Sequence, residues 1–282
     1  MKLRKAAAPA HNSAKTDAAT VISTTCAAAV PGPVLFARYA YPPNSLGYCG
    51  PGDPAALLGA AAEGTDVAGL GQLAARFDGA WPYLQLLAAC SGIEDPLDWR
   101  VVEAYWVGND LLARVPPTTL AHSLGDRFEQ RAGRRFEPLV SAVPAGGIPQ
   151  HSFHVFAVYP WLGLLRAGMD GPPMEVLDRC RIRWGRIEAV AGDLVAVTSR
   201  ALSFDGSRLV LGPDRVEQAR RSLDGVGFSG DLRPGDMVSL HWDWVCDRLS
   251  PAALRWLCYC TKRNLDAVNS LAAPGPAAVC GA

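Results

Sequence analysis

The chain has almost no lysine: only Lys2, Lys5, Lys15 and Lys262 among 27 basic residues. Its Lys+Arg count of 27 equals its Asp+Glu count of 27, so it carries no net charge. That balance removes the basic footprint expected of a nucleic-acid binder. No Cys-x-x-Cys pair occurs among its 8 cysteines, which excludes a zinc ribbon or a thioredoxin-like redox motif. Scattered from Cys26 to Cys280, the cysteines do not form the dense framework of a small secreted domain, and they point to a reducing, cytoplasmic compartment. A membrane-spanning run is also lacking. Ala18–Ala37 is interrupted by Ser, Thr and Pro31-Gly32-Pro33, and the uncharged stretch Pro138–Leu165 by Pro144, Gly146-Gly147, Pro149 and Pro160. Lys2, Arg4 and Lys5 are separated from any apolar segment by His11, Asn12 and Asp17, so the N-terminus does not read as a signal peptide. What remains is a globular composition, 49% hydrophobic and 19% charged over 282 residues.

Periodicity divides the chain into two kinds of sequence. Residues 1–32, rich in Ala, Ser and Thr, read as a disordered extension, with order beginning at Pro33. Residues 33–172 read as an all-α domain. Asp53-Pro54 caps a helix over Ala55–Glu63 that Gly64 ends; further helices fit Val67–Phe77, Trp81–Cys90, Leu97–Leu112, Pro117–Arg131, Phe136–Val143 and Ser152–Ala167. The aromatic segments Tyr39–Pro43 and Leu46–Pro51 read as non-helical. A breaker cluster, Gly168–Pro173, marks the boundary. Beyond it the period falls to two: Arg181–Val190 and Asp193–Thr198 flank an Ala191-Gly192-Asp193 turn, and Ala201–Phe204 and Arg208–Leu211 flank Asp205-Gly206. Arg215–Leu223 and a last strand, Met237–Trp242, complete a small β-barrel. Ser250-Pro251 caps a final helix to about Leu271, and residues 273–282 read as a loose tail. The fold class expected is therefore α+β and multidomain: an N-terminal all-α domain, then residues 173–272 as a small OB-like β-barrel with a C-terminal helix.

Few residues offer chemistry. Gly225-Val226-Gly227-Phe228-Ser229-Gly230 matches a dinucleotide-binding pattern but leads into a strand rather than a helix, so it reads as a loop. His151 and His154, three apart, share a helix face and could bind metal, but packing explains them as well. Glu103 and Cys49 are isolated candidates. Cys180 and His241 stand at the two ends of the barrel sequence, where first and last strands can be neighbours. Arg179, Arg181, Arg183 and Arg186 surround Cys180 and should favour its thiolate, the form that binds metal.

The segment Cys180–Leu249 resembles the HypC/HupF-type hydrogenase maturation chaperones. The resemblance rests on Cys180 and Gly185 at matching spacing, Ile187, the Gly192-Asp193 turn, Val195, Val197, and the closing Gly235-Asp236, Val238, His241, Trp244 and Leu249. In that family the cysteine follows the initiator Met, whereas Cys180 is internal. The helical half resembles actinobacterial proteins of comparable layout, which adds no chemistry. The resemblance implies an accessory protein of nickel–iron hydrogenase assembly, a chaperone more than an enzyme. Its metal ligands would be Cys180 and His241, its cargo an iron–cyanide/carbonyl fragment, and its partner the hydrogenase large subunit or a HypD-type maturation protein. Trp184, Gly185, Trp242, Asp243 and Trp244 would meet that partner. Two alternatives stand beside it: an interaction adaptor without a metal task, and an enzyme with its site in the helical half around Cys49, Glu103, His151 or His154.

Overall fold

The computed structural model describes residues 30–64, 69–132, 141–169 and 171–271. The expected extension before Val30, the tail after Leu271 and most of the expected helix at 136–143 lie outside them. The fold is α+β: helices lead, a five-stranded barrel follows, and a long helix closes the chain.

Helix α1 (Gly32–Ser45) runs through Pro42 and Pro43, contrary to the non-helical reading of Tyr39–Pro43. The prolines forfeit the helical bonds to the carbonyls of residues 38 and 39, and the helix ends two residues later at Ser45. Helix α2 (Pro54–Glu63) follows its sequence signals closely: the Asp53 side chain accepts from the Ala56 N–H, and Gly64 ends the helix in the left-handed region. Helices α3 (Leu70–Ala74) and α4 (Trp81–Ser91) come next. The expected Leu97–Leu112 helix is divided. Helix α5 (Trp99–Trp106) stops before Gly108, and a 3-10 turn covers Asp110–Arg114. Gly108 has φ 111°, and a Cβ there would lie 2.6 Å from the Cys260 sulfur, so close packing forces the break. Helix α6 spans Pro117–Ala132. The expected Ser152–Ala167 helix is likewise cut, by Pro160. A single turn at His151–Phe153 widens into a π-helical turn, His154–Val158, before α7 (Trp161–Arg166). Helix α8 (Pro172–Cys180) then delivers the chain to the barrel.

The strands are β1 (Arg183–Ala191), β2 (Leu194–Phe204), β3 (Leu209–Arg220), the short hairpin β4 (Ser222–Leu223) and β5 (Val226–Gly227), β6 (Met237–His241) and β7 (Trp244–Arg248). Strands 1, 2, 3, 7 and 6 close in that order, with β3 and β7 parallel and the other neighbours antiparallel, an OB-like path. The glycine-rich loop is the β4–β5 hairpin, as its sequence context required. Strand β7 was not anticipated: His241 ends the penultimate strand, and Trp242 turns the chain with φ 55°. Helix α9 (Pro251–Ser270) closes the fold, its first turn capped by Ser250 accepting from the Ala253 N–H.

The core ignores the change from helix to strand. Phe36, Tyr39 and Trp106 share one apolar cluster with Ile182, Phe228, Trp244, Cys246 and Leu257. A smaller cluster fills the barrel with Ile187, Val195, Val197, Val238, Leu240 and Val245. Polar bonds span the same seam. Tyr39 Oη and Ser239 Oγ lie 2.9 Å apart, and the Asn264 side chain donates to Ser152 Oγ at 2.9 Å. Residues 33–172 and 173–272 are thus two kinds of sequence packed on a common core.

Candidate metal centre

Cys180 is the last residue of α8, just ahead of β1, and His241 the last of β6. Strands β1 and β6 pair directly, Arg183 opposite Leu240. That pairing brings the two residues together, as the barrel argument anticipated. His151 joins them from the turn that opens the π-helical segment. One potential ligand atom from each of His151, Cys180 and His241 lies within 4.8 Å of the others, and all three residues are buried. They line a cavity of about 30 Å³ whose walls include Pro43, Cys49, Tyr105, His154 and Tyr159. Cys49 and His154, separate candidates in the sequence, therefore share one chamber with the principal pair. Glu103 does not: it lies apart, accepting from the Asn109 amide at 2.9 Å in a surface cleft, and burial pushes its carboxyl up.

Hydrogen bonding fixes the orientation of the imidazoles. His241 Nδ1 lies 2.6 Å from the Tyr39 carbonyl. A carbonyl only accepts, so Nδ1 carries the proton and the lone pair sits on Nε2. Pro43 makes this possible, because a residue with an N–H at that position would claim the Tyr39 carbonyl as its helical acceptor. Nε2 is left facing the site without a hydrogen-bond partner. This is the carbonyl-backed imidazole typical of metal-ligating histidines. His151 Nε2 donates to the Cys180 carbonyl at 2.8 Å, so its Nδ1 accepts from the Tyr105 hydroxyl at 3.1 Å. Neither ring nitrogen of His154 has a hydrogen-bond partner. Gly79 gives that ring room, since a Cβ there would be 2.9 Å from Nε2.

Electrostatics place the groups in their neutral forms. Burial drives the His151 pKa down to about 4 and that of His154 to about 3, and holds His241 well below the ordinary imidazole range. Burial also pushes the Cys180 thiol far up, with Cys49 adding to the effect and the Trp242 indole opposing it. The expected arginine-stabilised thiolate is thus corrected, because the arginines have other partners. Arg181 engages Asp178 and the Arg200 carbonyl. Arg183 engages Glu217 and the Trp242 carbonyl. Arg179 and Arg186 pair outside with Glu175 and Glu188. The neutral His241 imidazole has its Nε2 lone pair free to ligate, whereas His151 must give up its bond from the Tyr105 hydroxyl and the Cys180 thiol its proton as a metal enters.

The expected partner surface is largely internal. Trp242 is buried and stacks on Tyr48 with ring centroids 4.2 Å apart. Trp244 is buried between Tyr41 and Phe228. Gly185 is a packing glycine, where a Cβ would lie 2.4 Å from Val197 Cγ1. Trp184 is half-buried against the main core, and only Asp243 is open, paired with Arg220 at 3.5 Å. The barrel motif's tryptophans fill the seam with the helical half, which a barrel read alone would leave exposed.

One family model covers residues 28–274, and its description is a family of unknown function, DUF6390. The chain belongs to DUF6390. No curated protein and no solved structure matches it. The DUF6390 match crosses the helix–barrel seam and includes every residue lining the cavity. Tyr39, Tyr105 and Tyr159 of this DUF6390 chain were not candidates in the sequence. The one available signal was Pro43, which frees the Tyr39 carbonyl. Among the described residues of this DUF6390 chain, no helix is long and apolar enough to cross a membrane.

Proposed function

We propose that this protein is a metal-handling accessory protein in which Cys180, His241 and His151 receive a thiophilic transition metal. The observation that carries the reading is the convergence of these three side chains, from distant parts of the chain, on one buried cavity. The unpartnered Nε2 of His241 supports it, because a buried acceptor without a bond costs about 1–3 kcal/mol and a ligated metal removes that cost. Thiolate and imidazole suit iron, copper and zinc. The resemblance of Cys180–Leu249 to HypC/HupF-type chaperones favours iron as cargo, in the form of a cyanide/carbonyl precursor of the nickel–iron site. The partner is then the hydrogenase large subunit or a HypD-type maturation protein, and the compartment the cytoplasm. Free cysteines throughout the described residues are in keeping with that compartment. A cavity of about 30 Å³ accepts a bare ion but not an iron carrying three diatomic ligands, so loading that cargo requires a wall to move. Burial of Trp242 and Trp244 leaves Trp184 as the half-exposed tryptophan of the expected partner surface, which favours the metal reading over the adaptor.

The test is anaerobic co-expression with the hydrogenase maturation proteins, followed by infrared spectroscopy of the purified chain. Cyanide and carbonyl bands should co-purify with the wild type, vanish in Cys180→Ala and weaken in His241→Ala. They should persist in Trp184→Ala. Bands indifferent to Cys180, or absent from the wild type, would remove the hydrogenase assignment.

A further inference from the structure

We infer that Cys49 is a fourth ligand, completing with His151, Cys180 and His241 a closed two-sulfur, two-nitrogen set that takes zinc(II). The inference rests on the reading of Cys180, His241 and His151 as metal-binding but departs from it in the metal. Cys49 lines the same cavity as Cys180, outside the 4.8 Å triangle. The loop that carries it is fastened in place. The Asn44 side chain donates to the Cys49 carbonyl at 2.7 Å and to the Pro51 carbonyl at 2.6 Å. Gly50, with φ 80°, lies on Phe77, where a Cβ would be 2.3 Å from the ring. Tyr48 stacks on Trp242, the residue after His241. The backbone on both sides of Cys49 is thereby pressed against the metal-binding wall, while Leu46 and the outer face of Tyr48 remain open to solvent.

The cavity calls for something polar at this place. His241 Nε2 is fully buried and unpartnered, and so are both nitrogens of His154 across the chamber. Its volume of about 30 Å³ suits one ion or one water. Three protein ligands leave a tetrahedral ion one position short, and Cys49 is the thiol in the wall that can fill it. Two thiolates and two imidazoles form a typical structural zinc set. Zinc binding by this set releases two protons, one from each cysteine thiol.

The experiment is zinc K-edge absorption on the full-length chain, stripped with a chelator and reloaded with one equivalent of zinc(II). Two sulfurs at about 2.3 Å and two nitrogens at about 2.0–2.1 Å are expected. In Cys49→Ser the sulfur count should fall to one and zinc affinity at least tenfold, with circular dichroism unchanged. One sulfur in the wild type, or two that survive in Cys49→Ser, would overturn the role of Cys49 and leave the three-residue site standing. A chain that retains no zinc overturns the four-ligand site. If it also retains no iron(II), the three-residue reading falls with it.

Discussion

Acid should unfold this protein through its buried histidines. Burial holds His151 near a pKa of about 4 and His154 near about 3, with His241 also far down. In the unfolded chain each returns to about 6.5. The folded value lies below the unfolded one, so between them the unfolded chain binds more protons and stability falls as pH falls. Between about pH 7 and pH 5 each histidine withdraws about 2 kcal/mol, and the three together about 6 kcal/mol. Against a total stability of about 5–15 kcal/mol, that loss is decisive. Glu103 and Asp247 act in the opposite sense, because burial raises their carboxyl pKa values and the folded state takes those protons first. Urea unfolding of the metal-free chain, followed by tryptophan fluorescence in steps from pH 7 to 5, measures the slope. His154→Phe removes a ring whose nitrogens bond to nothing, and should cut the loss by about a third. His122→Gln, on an exposed residue, should leave it unchanged. A midpoint that stays constant over this range would refute the reasoning, as would an equal loss in the His154 variant.

Two further outcomes follow from the barrel. Arg183→Leu takes the guanidinium from Glu217, which keeps Ser199 and Arg215, and frees the Trp242 carbonyl, and should cost about 1.5–3 kcal/mol in chemical denaturation. Arg183→Leu combined with Glu217→Leu should cost less than the two single changes summed, and strict additivity would show that the pair does not act as a unit. Cys180, buried with its thiol pKa pushed up, should resist alkylation at neutral pH for longer than the half-buried Cys258, as peptide mass mapping would reveal.

Much of the fold was legible because local chemistry was consistent. Asp53 and Gly64 bracket α2, Ser250 starts α9, and Gly192, with φ 56°, turns β1 into β2. Strand β7 was not legible: Trp244, Val245 and Cys246 are all buried, so there is no alternation, and a non-glycine, Trp242, makes its turn. Helix α1 was hidden by Pro42-Pro43, a breaker pair that marks where the helix ends rather than the absence of a helix before it. At the site, barrel closure was enough to suggest that Cys180 meets His241. The arrival of Cys49, His151 and His154 at the same cavity depends on how helices dock on the barrel, which no local pattern encodes. The arginine argument for a Cys180 thiolate misses its burial for a related reason. Four arginines close in sequence diverge in space to four different carboxylates.

The bond from His241 to the Tyr39 carbonyl also has a consequence for synthesis. It joins residues 202 apart, and the strands that cover α1, β6 and β7, are among the last elements made. At about 5–20 residues per second, α1 emerges from the ribosome about 10–40 s before its covering surface exists. Through that interval Phe36 and Tyr39 can already meet Phe77 and Trp106, but the bonds that tie Tyr39 to Ser239 and His241 cannot form. The cavity lined by His151, Cys180 and His241 therefore comes into being only once β6 has been made.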